Sequence, residues 1–215
     1  MSEFTGWPAR AVEFYRGLEA DNSKAYWTAH KSEYDTFVLG PMQALLDDLA
    51  GEFGEGRIFR PYRDIRFSAD KTPYKTAIGA TLGGAGYVHF SASGLGVGAG
   101  CHVMAPDQLA RFRAAVDEDR SGEALVAAIA AVQADGVSVT AREQLKRIPR
   151  GMDPEHPRAD LLRDKDLAAW IEWPVEPWLH TSAAEDRVVE ALRASQPQTD
   201  WLDAHVGPST AERTR

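Results

Sequence analysis

Cysteine is almost absent from this chain. Cys101 is the single one in 215 residues, so no intramolecular disulfide can form and zinc sites built from several thiolates are excluded. Long apolar runs are missing too, and no window approaches the ~20 residues that a membrane-spanning helix needs. The opening Met1-Ser2-Glu3-Phe4-Thr5-Gly6-Trp7 has no basic stretch leading into an apolar run, the pattern of a secretory signal. A reducing, cytoplasmic setting without a membrane partner is the expectation. Positive charge is in short supply: 24 Lys and Arg face 32 Asp and Glu, a net −8. Coating nucleic acid through bulk charge requires the opposite balance, so a nucleic-acid partner is possible only through a local basic surface. Six Trp, six Tyr and eight Phe supply the apolar surface for a packed core and exclude wholesale disorder.

Residues 8–20 read as a helix, with Pro8 suited to a first helical position and Ala11, Phe14, Tyr15 and Leu18 on one stripe. Asp21-Asn22-Ser23 interrupts it and offers caps for a second helix carrying Trp27, Tyr34 and Val38. Gly40-Pro41 is expected to break or kink that helix before Met42, Leu45 and Leu49 resume the spacing. From Arg57 to Met104 the period becomes two. Residues 58–68 are expected as a strand, irregular at Pro61, with Arg63, Ile65 and Phe67 on its apolar face. Residues 77–82 follow as a strand ended by Gly83-Gly84-Ala85-Gly86, and 87–92 with 95–104 form a hairpin around Ser93-Gly94. One hairpin face holds Val88, Phe90, Leu95 and Val97. The other holds Gly96, Gly98 and Gly100 with Tyr87, His89 and His102, so something should pack closely there. Pro106 opens a further helix, Ser121 caps another, and Ser182 with Glu185 makes a capping box for a last one. Trp170, Trp173 and Trp178 fall in an extended segment between prolines. The fold class is α+β: a helical N-terminal third, a central antiparallel β-meander and C-terminal helices packed on the sheet. One domain is expected over 1–206, with a flexible tail over 207–215.

The charge is unevenly spread. Residues 57–75 contain Arg57, Arg60, Arg63, Arg66, Lys71 and Lys75 against Asp64 and Asp70 alone. Residues 142–150 contain Arg142, Lys146, Arg147 and Arg150 against Glu143. The rest of the chain then carries −15, and this asymmetry is the most informative quantity in the sequence. The run from Ser68 to Thr76 combines turn formers, hydroxyls and two lysines, the groups that bind phosphate or carboxylate, while Arg adds planar bidentate contacts.

The stretch Arg63-Asp64-Ile65-Arg66-Phe67-Ser68-Ala69-Asp70-Lys71-Thr72-Pro73-Tyr74-Lys75-Thr76 resembles the family known as domain of unknown function 2461. Asp21-Asn22-Ser23-Lys24 with Tyr26-Trp27 is similar to that family's Asn-Asn…Trp-Phe helix start, with Asp in place of the first Asn. The segment from Leu145 to Asp153 resembles its Lys-Arg-x-Pro-(Lys/Arg)-Gly-(Tyr/Phe)-Asp run, with Met152 where an aromatic is usual. The resemblance covers most of residues 4–205. It implies an α+β cytoplasmic protein of bacterial or fungal type, and it implies no activity.

The candidate ligand-binding residues are Arg63, Arg66, Ser68, Asp70, Lys71, Tyr74 and Lys75, with Lys146, Arg147 and Arg150 as a second wall. Six cations in the first window exceed what two carboxylates can neutralise, which favours an anion site over a purely structural ion-pair network. Arg63, beside the apolar positions, is the member best suited to a structural role. The expected partner is a small anionic ligand, phosphate-containing, with no cofactor and no metal. His89 and His102 lack the spacing of a metal motif, Cys101 alternates onto the core face, and Gly94–Gly100 lacks the Gly-Lys-Ser/Thr of a phosphate loop. No reaction is legible. If there is one, phosphoester or nucleotide chemistry fits the cations, with Asp70 or a His moving protons. The alternatives are a nucleic-acid accessory module using both basic windows, or an interaction scaffold in which the motif only holds the fold.

Overall fold

The computed structural model describes residues 3–66, 68–84 and 86–211. Phe67, assigned by alternation to an apolar face, Ala85 of the glycine turn and the last part of the expected tail lie outside them. Extended backbone at Pro8 precedes α1 (Ala9–Ala20), whose buried Ala11, Val12, Phe14, Tyr15 and Leu18 are the expected stripe. Ser23 caps α2 (Lys24–Glu33), its hydroxyl accepting the Tyr26 N–H at 3.1 Å. Gly40-Pro41 does not end the helical run. A π turn over Tyr34–Leu39 leads directly into α3 (Gly40–Phe53), and the Gly40 N–H reaches the Asp35 carbonyl. The wider turn places Pro41, which has no N–H to give, in the first turn of α3, where none is required.

The strand expected over 58–68 is mostly a loop. β1 is Gly56–Ile58, antiparallel to β2 (Ala77–Leu82) with Arg57 opposite Thr81. The Phe59 N–H still reaches the Gly79 carbonyl at 2.9 Å, and then the chain leaves the sheet. Pro61 and Pro73 cannot donate to a ladder. Their carbonyls instead accept the N–H groups of Lys75 at 2.8 Å and Arg63 at 2.9 Å, around a single Tyr62–Tyr74 bridge. The alternation of 58–68 therefore belongs to one limb of a two-limbed loop.

The hairpin of β3 (Gly86–Ser91) and β4 (Gly94–Cys101) is present. Helices α4 (Pro106–Asp117) and α5 (Asp119–Ala134) follow. The cap of α5 is Glu118, whose carboxylate accepts the N–H groups of Arg120 at 3.0 Å and Ser121 at 2.7 Å; the expected cap, Ser121, turns its hydroxyl to the Ala115 carbonyl. A short strand missed in the sequence, β5 (Ser138–Thr140), precedes α6 (Ala159–Arg163). The tryptophan segment is β6 (Leu167–Pro174), a member of the sheet, and β5 pairs with it from Ser138 opposite Trp170 to Thr140 opposite Ala168. The chain ends in α7 (Ala183–Ala194) and α8 (Gln196–His205), two helices where one was expected. Strand order in the antiparallel sheet is β1-β2-β3-β4-β6-β5, and the α+β class holds.

The chain divides into two compact units, residues 1–97 with 172–190 and residues 98–171 with 191–215. In the first, Phe4, Trp7, Phe14, Leu18, Val38 and Leu45 join Ile78, Val88 and Phe90 in the core, and the Trp7 ring stacks on Phe90 at 4.9 Å. In the second, Met104, Phe112, Val116, Leu125, Leu162, Leu167, Trp201 and Leu202 form the core. The close packing expected on the glycine face comes from an aromatic ring at Gly98 and from the Leu167 carbonyl and the Gln198 amide at Gly100. A Cβ at Gly79 would come within 2.6 Å of the Tyr87 hydroxyl, and one at Gly98 within 2.6 Å of the Trp170 ring.

Candidate functional site

The loop between β1 and β2 is fixed from outside by Asn22, which stands between α1 and α2. Its side-chain amide donates to the Tyr74 carbonyl at 3.0 Å, and its carbonyl oxygen accepts the Tyr74 N–H at 3.0 Å. Both hydrogen-bonding groups of one loop residue are thus satisfied by one side chain. The Tyr74 ring stacks on Trp27 of α2 at 4.4 Å and 8°, and Tyr74 is buried while Tyr62 beside it is exposed. Burial pushes the Tyr74 hydroxyl up from its ordinary value.

Within the loop, one guanidinium nitrogen of Arg63 donates to the carboxylate of Asp70 and to the hydroxyl of Thr72. The other Asp70 oxygen accepts the Thr72 N–H at 2.9 Å. The Arg63 hydrogen bond, then the N–H and hydroxyl of Thr72, pull the Asp70 carboxyl down to about 2. Arg66 grips Asp64 in a two-point contact, Nε at 3.0 Å and Nη2 at 2.7 Å, which lowers the Asp64 carboxyl and raises the guanidinium. The Lys71 ammonium donates to the Ile65 carbonyl at 2.9 Å.

A cleft of about 690 Å³ opens beside this loop. Arg63, Asp70, Tyr74 and Lys75 line it, together with Glu19, Asn22, Phe59, Thr72 and Tyr87 and with Ala77 and Gly79 of β2. Arg66, Ser68 and Lys71 are not among its lining residues. Lys75 differs from Arg63 and Arg66. Its ammonium stands 5.3 Å from the centre of the Phe59 ring, and among the described residues no carboxylate pairs with it. Burial, and then the nearby charge of Arg60, push the Lys75 ammonium down from its ordinary value.

A family model described as conserved hypothetical protein, domain of unknown function 2461, matches residues 10–201. The chain belongs to that family. No curated protein and no solved structure matches it. In this family member the segment 63–76 splits by role. Arg63, Asp70 and Tyr74 build the loop, Arg66 is held by Asp64, and Lys75 is presented to the cleft.

Lys146, Arg147 and Arg150 belong to the second unit, in the segment between β5 and α6, and all three are exposed. That segment is strapped by carboxylates: Asp166 accepts the N–H groups of Arg142 at 2.7 Å and Glu143 at 3.1 Å, and Asp164 accepts from the Gln144 amide at 2.6 Å. Desolvation of Asp164 outweighs the Gln144 hydrogen bond and lifts its carboxyl to about 6. Among the described residues no group of three or more His, Cys, Asp or Glu is placed to hold a metal. His89 faces Glu172 at 3.6 Å, and burial lowers its imidazole. Cys101 is half-buried, its thiol directed at the Val103 carbonyl and raised by desolvation.

The sequence reading missed Asn22 as a clamp and Phe59 and Tyr87 as lining residues. For Phe59 a signal existed: Arg57, Phe59, Arg60 and Tyr62 interleave bases and rings at the start of the basic window, and both rings are exposed. For Asn22 the partner lies 52 residues away, and nothing local marks it.

Proposed function

We propose that the cleft beside β2 binds a small anionic, phosphate-containing ligand, with Lys75 as its principal contact. The observation that carries this is the state of Lys75, a partly desolvated ammonium on a cleft, near a second cation and without a carboxylate. Removing an ammonium from water is costly unless an anion repays it. The other cations of the motif are engaged within the loop and contribute by holding its shape. A cytoplasmic setting is in keeping with the lone Cys101, and no described helix is long and apolar enough to cross a membrane.

The test is thermal unfolding of the wild type, Lys75→Met and Lys71→Ala with ribose 5-phosphate, at low and high salt. Binding to the folded state raises Tm by mass action. Wild type and Lys71→Ala should show the same rise, and Lys75→Met should lose it while keeping its unliganded Tm. An unchanged rise in Lys75→Met overturns the reading. Stabilisation by oligonucleotides alone, with a steep salt dependence, would replace it by a nucleic-acid module.

A further inference from the structure

The cleft carries more than a phosphate contact. Phe59 is 39% exposed, unusual for so large an apolar side chain, and it lines the cleft with Tyr87. The two ring centres lie 6.2 Å apart at 32°, so the rings touch and make one continuous aromatic wall. Behind it, Gly79 offers no side chain, and a Cβ there would come within 2.6 Å of the Tyr87 hydroxyl. The Lys75 ammonium stands over the Phe59 ring, 5.3 Å from its centre, so the phosphate contact and the aromatic wall adjoin directly. A bare phosphate or a sugar phosphate would leave the wall in water. A ligand with a flat ring and a phosphate on one small frame would cover both.

Charge limits the phosphate count. Lys75 and Arg63 line the cleft, but so do Glu19 and Asp70, and Arg63 is already bound to Asp70. One ammonium is left for the ligand, with Arg60 adding charge nearby. The exposed Glu19 carboxylate would repel a second or third phosphate, whereas it can accept hydrogen bonds from sugar hydroxyls. We infer that the ligand of this cleft is a nucleoside monophosphate, its base against Phe59 and Tyr87 and its phosphate on Lys75. This rests on the anion reading above and narrows it to one class.

Isothermal titration of the full chain with AMP, ribose 5-phosphate and ATP separates the two levels. AMP should bind about tenfold more tightly than ribose 5-phosphate, the increment expected of one stacked base. Phe59→Ser should abolish that increment, so that AMP then binds no more tightly than ribose 5-phosphate; because Phe59 is outside the core, the variant should fold, as its unliganded Tm will show. Equal affinity for AMP and ribose 5-phosphate in the wild type overturns the nucleotide assignment and leaves the phosphate reading standing. ATP binding more tightly than AMP overturns the limit to one phosphate. No binding of any of the three overturns both readings.

Discussion

At the scale of single residues, Gly122, in the first turns of α5, leaves no room for a side chain. A Cβ there would fall 2.3 Å from the Arg158 Nε and 2.4 Å from the Val116 carbonyl oxygen. Arg158 is a buried guanidinium that completes the end of α4. It donates to the Val116 carbonyl at 2.7 Å and the Asp117 carbonyl at 3.2 Å, and it pairs with Asp119 at 2.9 Å. The last carbonyls of a helix have no partner in the helix, and a cation there also meets the negative end of its dipole. Gly122→Ala must displace the guanidinium and orphan those carbonyls. The expected cost is about 2–4 kcal/mol, read as a lower midpoint in urea. Gly51→Ala is the control. A Cβ at Gly51 meets nothing within 4 Å, so this change within α3 should be neutral or stabilise by up to about 1 kcal/mol. Equal midpoints for the two variants would contradict the capping role of Arg158.

At the scale of elements, the sequence is most legible where one local signal decides. The stripe of α1, the Ser23 cap and the β3–β4 turn follow from spacing and turn chemistry within a few residues. It is least legible where a partner is distant. Residues 58–68 alternate like a strand, but two prolines and the grip of Asn22 on Tyr74 turn them into a loop. Ser121 has the chemistry of a cap, yet Glu118, the residue just before α5, is the cap and accepts the N–H groups of Arg120 and Ser121 itself. The site divides in the same way. Charge counting located the basic window, but whether a cation is spent or available depends on Asp64, Asp70 and the Ile65 carbonyl, whose positions only the folded loop reveals. Asn22 is therefore the element-scale test. Asn22→Ala should leave α1 and α2 intact, lower stability by about 1–2 kcal/mol for two lost hydrogen bonds, and speed hydrogen exchange at the Tyr74 amide. Asn22→Asp keeps the acceptor for that amide but sets a carboxylate oxygen against the Tyr74 carbonyl, and should be the worse of the two. Unchanged exchange at Tyr74 in both variants would show that stacking on Trp27 alone holds the loop.

At the scale of the whole molecule, stability against pH is set by carboxylates pulled in opposite directions. Hydrogen bonds to Arg63 and Thr72 hold Asp70 down at about 2, and backbone N–H groups lower Glu118. Each contributes stability that is present above its unfolded value and is lost as pH falls toward the folded one. Asp164 acts the other way. It is 5% exposed and its folded value is raised to about 6, so its ionised form opposes folding at neutral pH. That opposition is relieved as pH falls through about 6 and is gone below the unfolded value near about 4. Burial lowers His89, which favours the neutral ring and runs against the Asp164 gain over the same range, so the wild-type profile alone does not isolate either group. A comparison with Asp164→Asn does. The amide keeps an oxygen for the Gln144 donor at 2.6 Å and removes the charge. Near pH 7 the variant should be the more stable by about 2–3 kcal/mol, the worth of a shift of about two pH units, and the advantage should vanish near pH 4. Urea unfolding at the two pH values measures the difference directly. A constant difference across that range would mean that Asp164 does not change its ionisation there, and that the strap it forms with Gln144 is insensitive to acid.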